Sequence, residues 1–452
     1  PAMAVADLVD GRSLGIHKSL AFSRLVSTTR SQFLRIDPRE AAHPLHSSGI
    51  TALAIDPVHD RYMVAAELTG AVSLYDLSSR KAATGEIAPV ATQAAGNSGR
   101  SRGAAAAGSA SDEAHSKFAS AVRWRAVDSG LFVTSGYDSR VLVWDAAAFK
   151  PVFEFSFDCK VHDVAMSPTS RHTLVAGASD QPTVKLCDVG SGAFTHSLTG
   201  HKDTVLCVAW SPRSEFELVS GCRDGSIYMW DVRRAGGAAC IGALDERNQG
   251  KTKAKRRNDA TPLSTVGTSI AHRGRVTALH FPLHLGGRRL LSSGADALRM
   301  WDMDEMRNTL VNYAGVVNES RVRTDIVTAP APGGTLVYQA QSGGEEAILA
   351  FDADSGELVD SLEGHYSPVT ALAFRPSAQE LYSGGRDGML HLWSSSFLSS
   401  SGDDAAAARG GAGGGDGEGA GAGAGAGGGD VAGAELGGES SGDEWSDPEG
   451  GS

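Results

Sequence analysis

The chain has 452 residues, 21% of them charged and 41% hydrophobic, with a net charge of −12, a composition typical of globular proteins. The charge is uneven: residues 401–452 hold eleven Asp or Glu and one Arg, so residues 1–400 sum to only −2. A nearly neutral body argues against a fold that grips nucleic acid through a broad basic face, and no run of 18 apolar residues is present to span a membrane.

The first predicted element lies at residues 13–30, SLGIHKSLAFSRLVSTTR. Ser13 can cap a helix, Ile16 and Leu20 are four apart, and Phe22, Leu25 and Val26 continue the apolar stripe beside Arg12, Lys18 and Arg24. Such a helix either packs on the protein's own surface or lays its apolar face in a partner groove. Residues 32–36, QFLRI, follow with strand character. No secretory signal opens the chain, and a start at Pro1 is expected to reflect trimming or further sequence upstream.

Short apolar runs then end one after another in Asp: SLYD at Asp76, VLVWD at Asp145, VKLCD at Asp188, IYMWD at Asp231, LRMWD at Asp302 and ILAFD at Asp352, with LHLWS closing at Ser394. The ends are spaced by 69, 43, 43, 71, 50 and 42 residues. A unit near 43 residues is the period of a four-stranded propeller blade. The two long gaps exceed it by 26 and 28 residues, less than a blade, and coincide with low-complexity stretches at 83–114 and 235–268. These read as insertions between blades. Seven blades result, and a closed ring leaves no exposed sheet edge. The QFLRI strand is expected to join the last blade and lock the ring.

A second set of residues repeats in step with the first. In blade two it is His115, Thr134, Asp138 and Trp144; in blade four His201, Ser220, Asp224 and Trp230; in blade five His272, Ser292, Asp296 and Trp301; in blade seven His365, Ser383, Asp387 and Trp393. An indole N–H, a hydroxyl, an imidazole and a carboxylate can form one hydrogen-bonded chain. Buried, such a chain is stable only when every bond is made, so it fixes one geometry per blade. Ser, His and Asp are also hydrolase-triad residue types, but their repetition marks them as structural. Blade one, with Gly49, shows no histidine in this reading, blade three ends in Cys187-Asp188, and blade six lacks both His and Trp.

Five cysteines, Cys159, Cys187, Cys207, Cys222 and Cys240, form no CxxC pair and fall mostly in apolar runs, as buried thiols do in a reducing compartment. KTKAKRR, at 251–257, reads either as a nuclear-import signal or as a solvated loop. No Gly-rich phosphate loop, metal cluster or isolated nucleophile stands out, so neither a catalytic residue nor a cofactor is expected. Beyond residue 400 the Gly/Ala-rich acidic composition predicts disorder. The domains are therefore 1–31, a helical arm; 32–398, a seven-bladed all-β propeller; and 399–452, a disordered acidic tail.

One blade carries an Arg two positions after its terminal Asp, in Trp230-Asp231-Val232-Arg233, where others have Ala147, Gly190, Asp304 and Asp354. Arg is common at turns, so this signal is weak alone. Together with Ser220-Gly221, Asp224, Ile227 and the upstream helical arm, the chain resembles WD-repeat substrate receptors of cullin-4 RING ubiquitin ligases. Within that group it resembles the Cockayne syndrome group A family, which acts in transcription-coupled DNA repair. The stretches that carry this resemblance are GITALAIDPVHDRYMV (49–64), TVKLCDVGSG (183–192), WDVRRA (230–235), NTLVNY (308–313), QELYSGGRD (379–387) and the terminal DEWSDPEG (443–450). The insertion at 83–114 and the Gly/Ala tail at 401–442 depart from the family pattern.

The resemblance implies a non-catalytic, nuclear receptor subunit. Arg233, Asp231 and the arm residues Leu20, Phe22, Arg24 and Leu25 would bind the adaptor, damage-specific DNA-binding protein 1, which links to cullin-4 and a RING subunit. The other face would hold targets at stalled RNA polymerase II, among them the Cockayne syndrome group B ATPase. The alternative is a WD-repeat scaffold in chromatin or RNA processing without a ligase.

Overall fold

Each of the seven apolar runs is the third strand of a four-stranded antiparallel sheet, and the seven sheets form a seven-bladed WD-repeat β-propeller. The computed structural model describes residues 34–36, 46, 48–79, 88–96, 114–168, 172–249, 270–331, 334–343 and 346–394. The described residues all fall within the unit Pro1–Ser399. The arm at 13–30 with Leu20, Phe22, Arg24 and Leu25, the KTKAKRR stretch and the acidic tail lie outside them.

The first strands of the blades are Ile50–Ile55, Ala119–Trp124, Val161–Met166, Val205–Trp210, Val276–His280, Ile326–Ala331 and Val369–Arg375. Each neighbours the first strand of the next blade, and the last neighbours the first, so these strands ring the axis. Hydroxyls stitch them together. Thr51 Oγ1 donates to Ala119 O at 2.5 Å, Ser120 Oγ to Val161 O at 2.6 Å, and Thr370 Oγ1 to Ile50 O across the closure.

Inner and middle strands read as continuous apolar runs because both faces of every blade are covered. Seven buried clusters result, each shared by two adjacent blades. Leu186, Val208, Trp210 and Trp230 join blades three and four, and Ile50, Tyr75, Ala371 and Tyr382 join blades seven and one. At about 2–3 kcal/mol for each large side chain removed from water, these shared layers hold the ring together rather than any blade alone.

Arg35–Ile36 pairs antiparallel with Leu390–Ser394 as the outer strand of blade seven, so the N-terminal side of the chain completes the last blade. Leu34 is buried with Ile348 and Trp393, and Arg35 pairs with Asp360 at 2.5 Å. Gly364 makes room for this strand, since a Cβ there would lie 2.4 Å from Ile36 Cδ1.

Two expectations require correction. The insertion assigned to 83–114 contains Pro89–Gln93, the outer strand of blade one, paired with Val72–Asp76. The one assigned to 235–268 contains Cys240–Ala243, the outer strand of blade four, paired with Ile227–Asp231. Pro89–Gln93 is largely exposed and needs little apolar sequence, and Cys240–Ala243 is only four residues with mostly small side chains, so both blended into the low-complexity background.

Across the axis runs a buried ionic tie. Arg323, just before blade six, places Nε 2.7 Å from Asp163 of blade three and also pairs with Asp325. Arg123 of blade two adds a contact to Asp163 at 3.3 Å, and the Val208 amide donates to its other oxygen at 3.1 Å. Blades three and six are not ring neighbours, so this tie spans the centre.

Candidate functional site

In blade two, Trp144 Nε1 donates to Thr134 Oγ1 at 2.8 Å, Thr134 meets His115 Nε2 at 2.8 Å, and His115 Nδ1 meets Asp138 at 2.9 Å. Blade five repeats this through Trp301, Ser292, His272 and Asp296 at 2.8, 2.7 and 2.7 Å. Blade seven repeats it through Trp393, Ser383, His365 and Asp387 at 2.7, 2.8 and 3.1 Å. A carboxylate only accepts, so the imidazole carries its proton on Nδ1 and accepts the hydroxyl at Nε2. Burial is the largest single influence on the Asp138 carboxyl and raises it, but the His115 hydrogen bond and charge, the Ser116 amide and Arg140 together outweigh it and leave the pKa below the usual carboxylate value. No member is left as a free nucleophile or base.

Blade four departs from the expected chain. Trp230 and His201 both reach Ser220, at 2.7 and 2.6 Å, but His201 Nδ1 meets Ser226 at 3.0 Å, and Ser226 in turn donates to Asp224 at 2.6 Å. The direct His201–Asp224 bond is replaced by a hydroxyl relay, because Ser226 lies inside the turn that Asp224 opens. Cys222 also stands here. Ligand atoms of His201, Cys222 and Asp224 lie within 4.8 Å of one another. The Ser226 hydroxyl fills the space between imidazole and carboxylate, and burial pushes the Cys222 thiol up to about 12. Both features disfavour a metal. All five cysteines are free, and only Cys159 is partly exposed.

Blade one has a histidine after all. His46 Nε2 meets Tyr75 Oη at 2.7 Å and its Nδ1 meets Glu67 at 2.8 Å. It replaces the Trp/Ser/His/Asp chain with Tyr/His/Glu. The signal was available: His46 stands four residues before its inner strand, as do His115, His201, His272 and His365. The turn glycine of the preceding blade marks the same place. Gly388 packs against His46 O just as Gly225, at φ +86°, packs against His272 O, where a Cβ would lie 2.0 Å away.

Arg233 lies at the other end of the blade-four third strand, Ile227–Asp231, from the tetrad turn. Its Nε donates to Asp231 Oδ1 at 2.9 Å and a terminal nitrogen to Oδ2 at 2.7 Å, while its guanidinium stacks 4.6 Å over the Phe216 ring. The side chain remains 49% exposed. The Arg233 hydrogen bond holds the Asp231 carboxyl below its ordinary value. A planar cation fixed on one edge and one face offers its remaining N–H groups to a partner without reordering. The ion pair itself is not peculiar to this blade. In blade one Arg61 grips Asp76 in the same forked way at 3.1 and 2.6 Å, from just before the neighbouring strand Tyr62–Glu67. What separates Arg233 is its place after the third strand; a cavity of about 270 Å³ between blades four and five is lined by Arg213, Glu217, Met229, Met303 and Asp304.

The WD domain, G-beta repeat family matches residues 192–231 and 356–394. Each match begins with the outer strand of one blade and ends with the third strand of the next, so the sequence repeat is offset by one strand and ties neighbours together. Along most of its length the chain is similar to WD repeat-containing protein ATCSA-1 of Arabidopsis thaliana, 28% identical over 86% of this chain and 94% of that protein. It is also similar to mitochondrial division protein 1 of Neosartorya fischeri, 30% identical over 45% of this chain but 33% of that protein. A 77 kDa echinoderm microtubule-associated protein of Lytechinus variegatus is 25% identical over 59% of this chain and 39% of its own length.

Proposed function

We propose that this propeller is the substrate-recognition subunit of a cullin-4 RING ubiquitin ligase acting in transcription-coupled nucleotide excision repair in the nucleus. It would hold target proteins at stalled RNA polymerase II, the Cockayne syndrome group B ATPase among them, and contribute no reactive group. Its role in ubiquitin transfer is proximity: it raises the local concentration of target lysines near the enzyme that the RING subunit recruits.

The observation that carries this reading is Arg233, pre-set by Asp231 and Phe216 at the end of the blade opposite the tetrads and half exposed. Interface anchors are commonly arginines presented in this way. Likeness to WD repeat-containing protein ATCSA-1 over nearly the whole of both chains supports it, as do the sequence stretches that resemble the Cockayne syndrome group A family. The arm at 13–30 would add a second contact to the adaptor.

The test is binding of purified damage-specific DNA-binding protein 1 to Arg233→Ala and to a variant lacking residues 1–30, with circular dichroism to confirm the fold. Each is expected to bind at least about tenfold more weakly. Unchanged affinity in both would leave a WD-repeat scaffold without a ligase.

A further inference from the structure

The end of the propeller opposite Arg233 carries a group of cations on three successive blades. Arg223 tops the turn after the second strand of blade four, its amide donating to Thr204 O at 2.9 Å, and is exposed. That turn abuts blade five: a Cβ on Gly221 would lie 2.8 Å from Val276 Cγ1, and Arg275 immediately precedes Val276. Arg275 then reaches towards blade six, with Nε donating to Ser320 O at 2.6 Å and a terminal nitrogen to Glu319 O at 2.7 Å. Arg321 follows in sequence, exposed, and Lys202 lies exposed beside Thr204.

The acceptors that hold Arg275 are neutral carbonyls. They fix the guanidinium without cancelling its charge. Neither Arg275 nor Arg223 makes an ion pair closer than 4 Å among the described residues; several neighbouring carboxylates are engaged elsewhere, and Glu319 is the one whose charge bears on Arg275. Asp224 accepts from Ser226, Asp180 meets His162 at 2.7 Å, Asp296 meets His272 and Arg299, and Asp203 accepts the Thr204 amide at 2.7 Å. Burial, then Arg321, then Arg223 hold the Arg275 pKa below its ordinary value, and Glu319 acts the other way. Like charges are thus kept together by the fold at a cost that an anion would relieve.

We propose that Arg223, Arg275, Arg321 and Lys202 form a docking surface for an acidic segment of a protein partner, laid across blades four to six. A carboxylate-rich chain in extended form matches cations presented on successive blades, and charge-assisted bonds to positioned guanidinium groups are strong and directional. A duplex fits less well, because the body as a whole is nearly neutral and a nucleic acid needs a longer basic track. This inference goes beyond the ligase reading and does not depend on it.

The experiment measures fluorescence anisotropy of a labelled glutamate decapeptide with the full chain. Saturable binding is expected, weakening as salt rises from about 0.05 to 0.3 M. Arg223→Ala and Arg275→Ala should each bind about tenfold more weakly with an unchanged circular dichroism spectrum. Arg233→Ala, at the opposite end, should bind as the parent does, so a failure of the adaptor reading is seen separately. Equal affinity of parent and Arg223→Ala, or equal weakening in Arg233→Ala, overturns the proposal. So does tighter binding of a DNA duplex that is lost in the same variants, which would mark a nucleic-acid surface.

Discussion

His201 and Asp224 do not touch: the Ser226 hydroxyl stands between them, 3.0 Å from the imidazole and 2.6 Å from the carboxylate. In blade two the same two roles meet directly, with His115 2.9 Å from Asp138. The difference decides what each carboxylate is worth. Asp138→Ala removes the acceptor from a buried imidazole and is expected to cost about 2–4 kcal/mol. Asp224→Ala leaves Ser226 in place to accept from His201, so its cost should be about 1 kcal/mol. Urea unfolding of both variants checks the order; equal losses would mean that the relay carries no energetic consequence.

Three buried or partly buried histidines make stability fall on acidification. Burial holds His201, His280 and His391 down to about 4, below the ordinary 6.5. A group whose folded pKa is depressed binds its proton more readily when unfolded, so its contribution is complete above 6.5 and is lost as pH falls towards 4. Unfolding free energies measured at about pH 7, 6 and 5 should decline, and the decline should be shallower in His201→Gln. A flat profile over this window would contradict the assignment of these imidazoles as neutral.

Arg323 compensates two carboxylates at the centre, Asp163 and Asp325, all three nearly inaccessible to solvent. Arg323→Met leaves Asp325 uncompensated and Asp163 with only the 3.3 Å contact to Arg123 and the Val208 amide, and is expected to cost about 3–5 kcal/mol. Adding Asp163→Asn should recover part of that loss, giving a coupling of about 1 kcal/mol or more in a double-mutant cycle. Strict additivity of the two substitutions would show that the tie contributes nothing.

Gly364→Ala should weaken closure of the ring. The new methyl would meet Ile36 Cδ1, and strain of this kind in a packed core costs about 1–3 kcal/mol. Ile36→Val removes that methyl, so the double variant should be more stable than Gly364→Ala alone. Thermal midpoints of the three proteins decide it.

Arg233→Lys keeps the charge but cannot fork onto Asp231 or stack flat on Phe216 as the guanidinium does. On the proposed function it should lose most of the adaptor affinity that Arg233→Ala loses. Calorimetric titration with the adaptor reads this directly, and a lysine variant that binds like the parent would reduce Arg233 to a simple charge.

Much of the fold was legible because a propeller repeats. Every third strand announces itself as an apolar run ending in Asp or Ser, and the tetrad residues recur at nearly fixed offsets, so one blade predicts the next. Residues that matter only within the repeat, such as Trp144 over Thr134, could therefore be placed from sequence. Arg233 stood out for the same reason, as an exception to a pattern. The outer strands Pro89–Gln93 and Cys240–Ala243 did not, because the first is largely exposed and tolerates almost any composition and the second is four residues of mostly small side chains. Ser226 was hidden because a hydroxyl two residues from an Asp is unremarkable until the turn folds it beneath an imidazole. Arg323 with Asp163, and Arg223 with Arg275, belong to no period at all. They meet because closing the ring brings distant blades face to face across the axis or side by side around it, and that proximity is a property of the closed structure, not of any local run of residues.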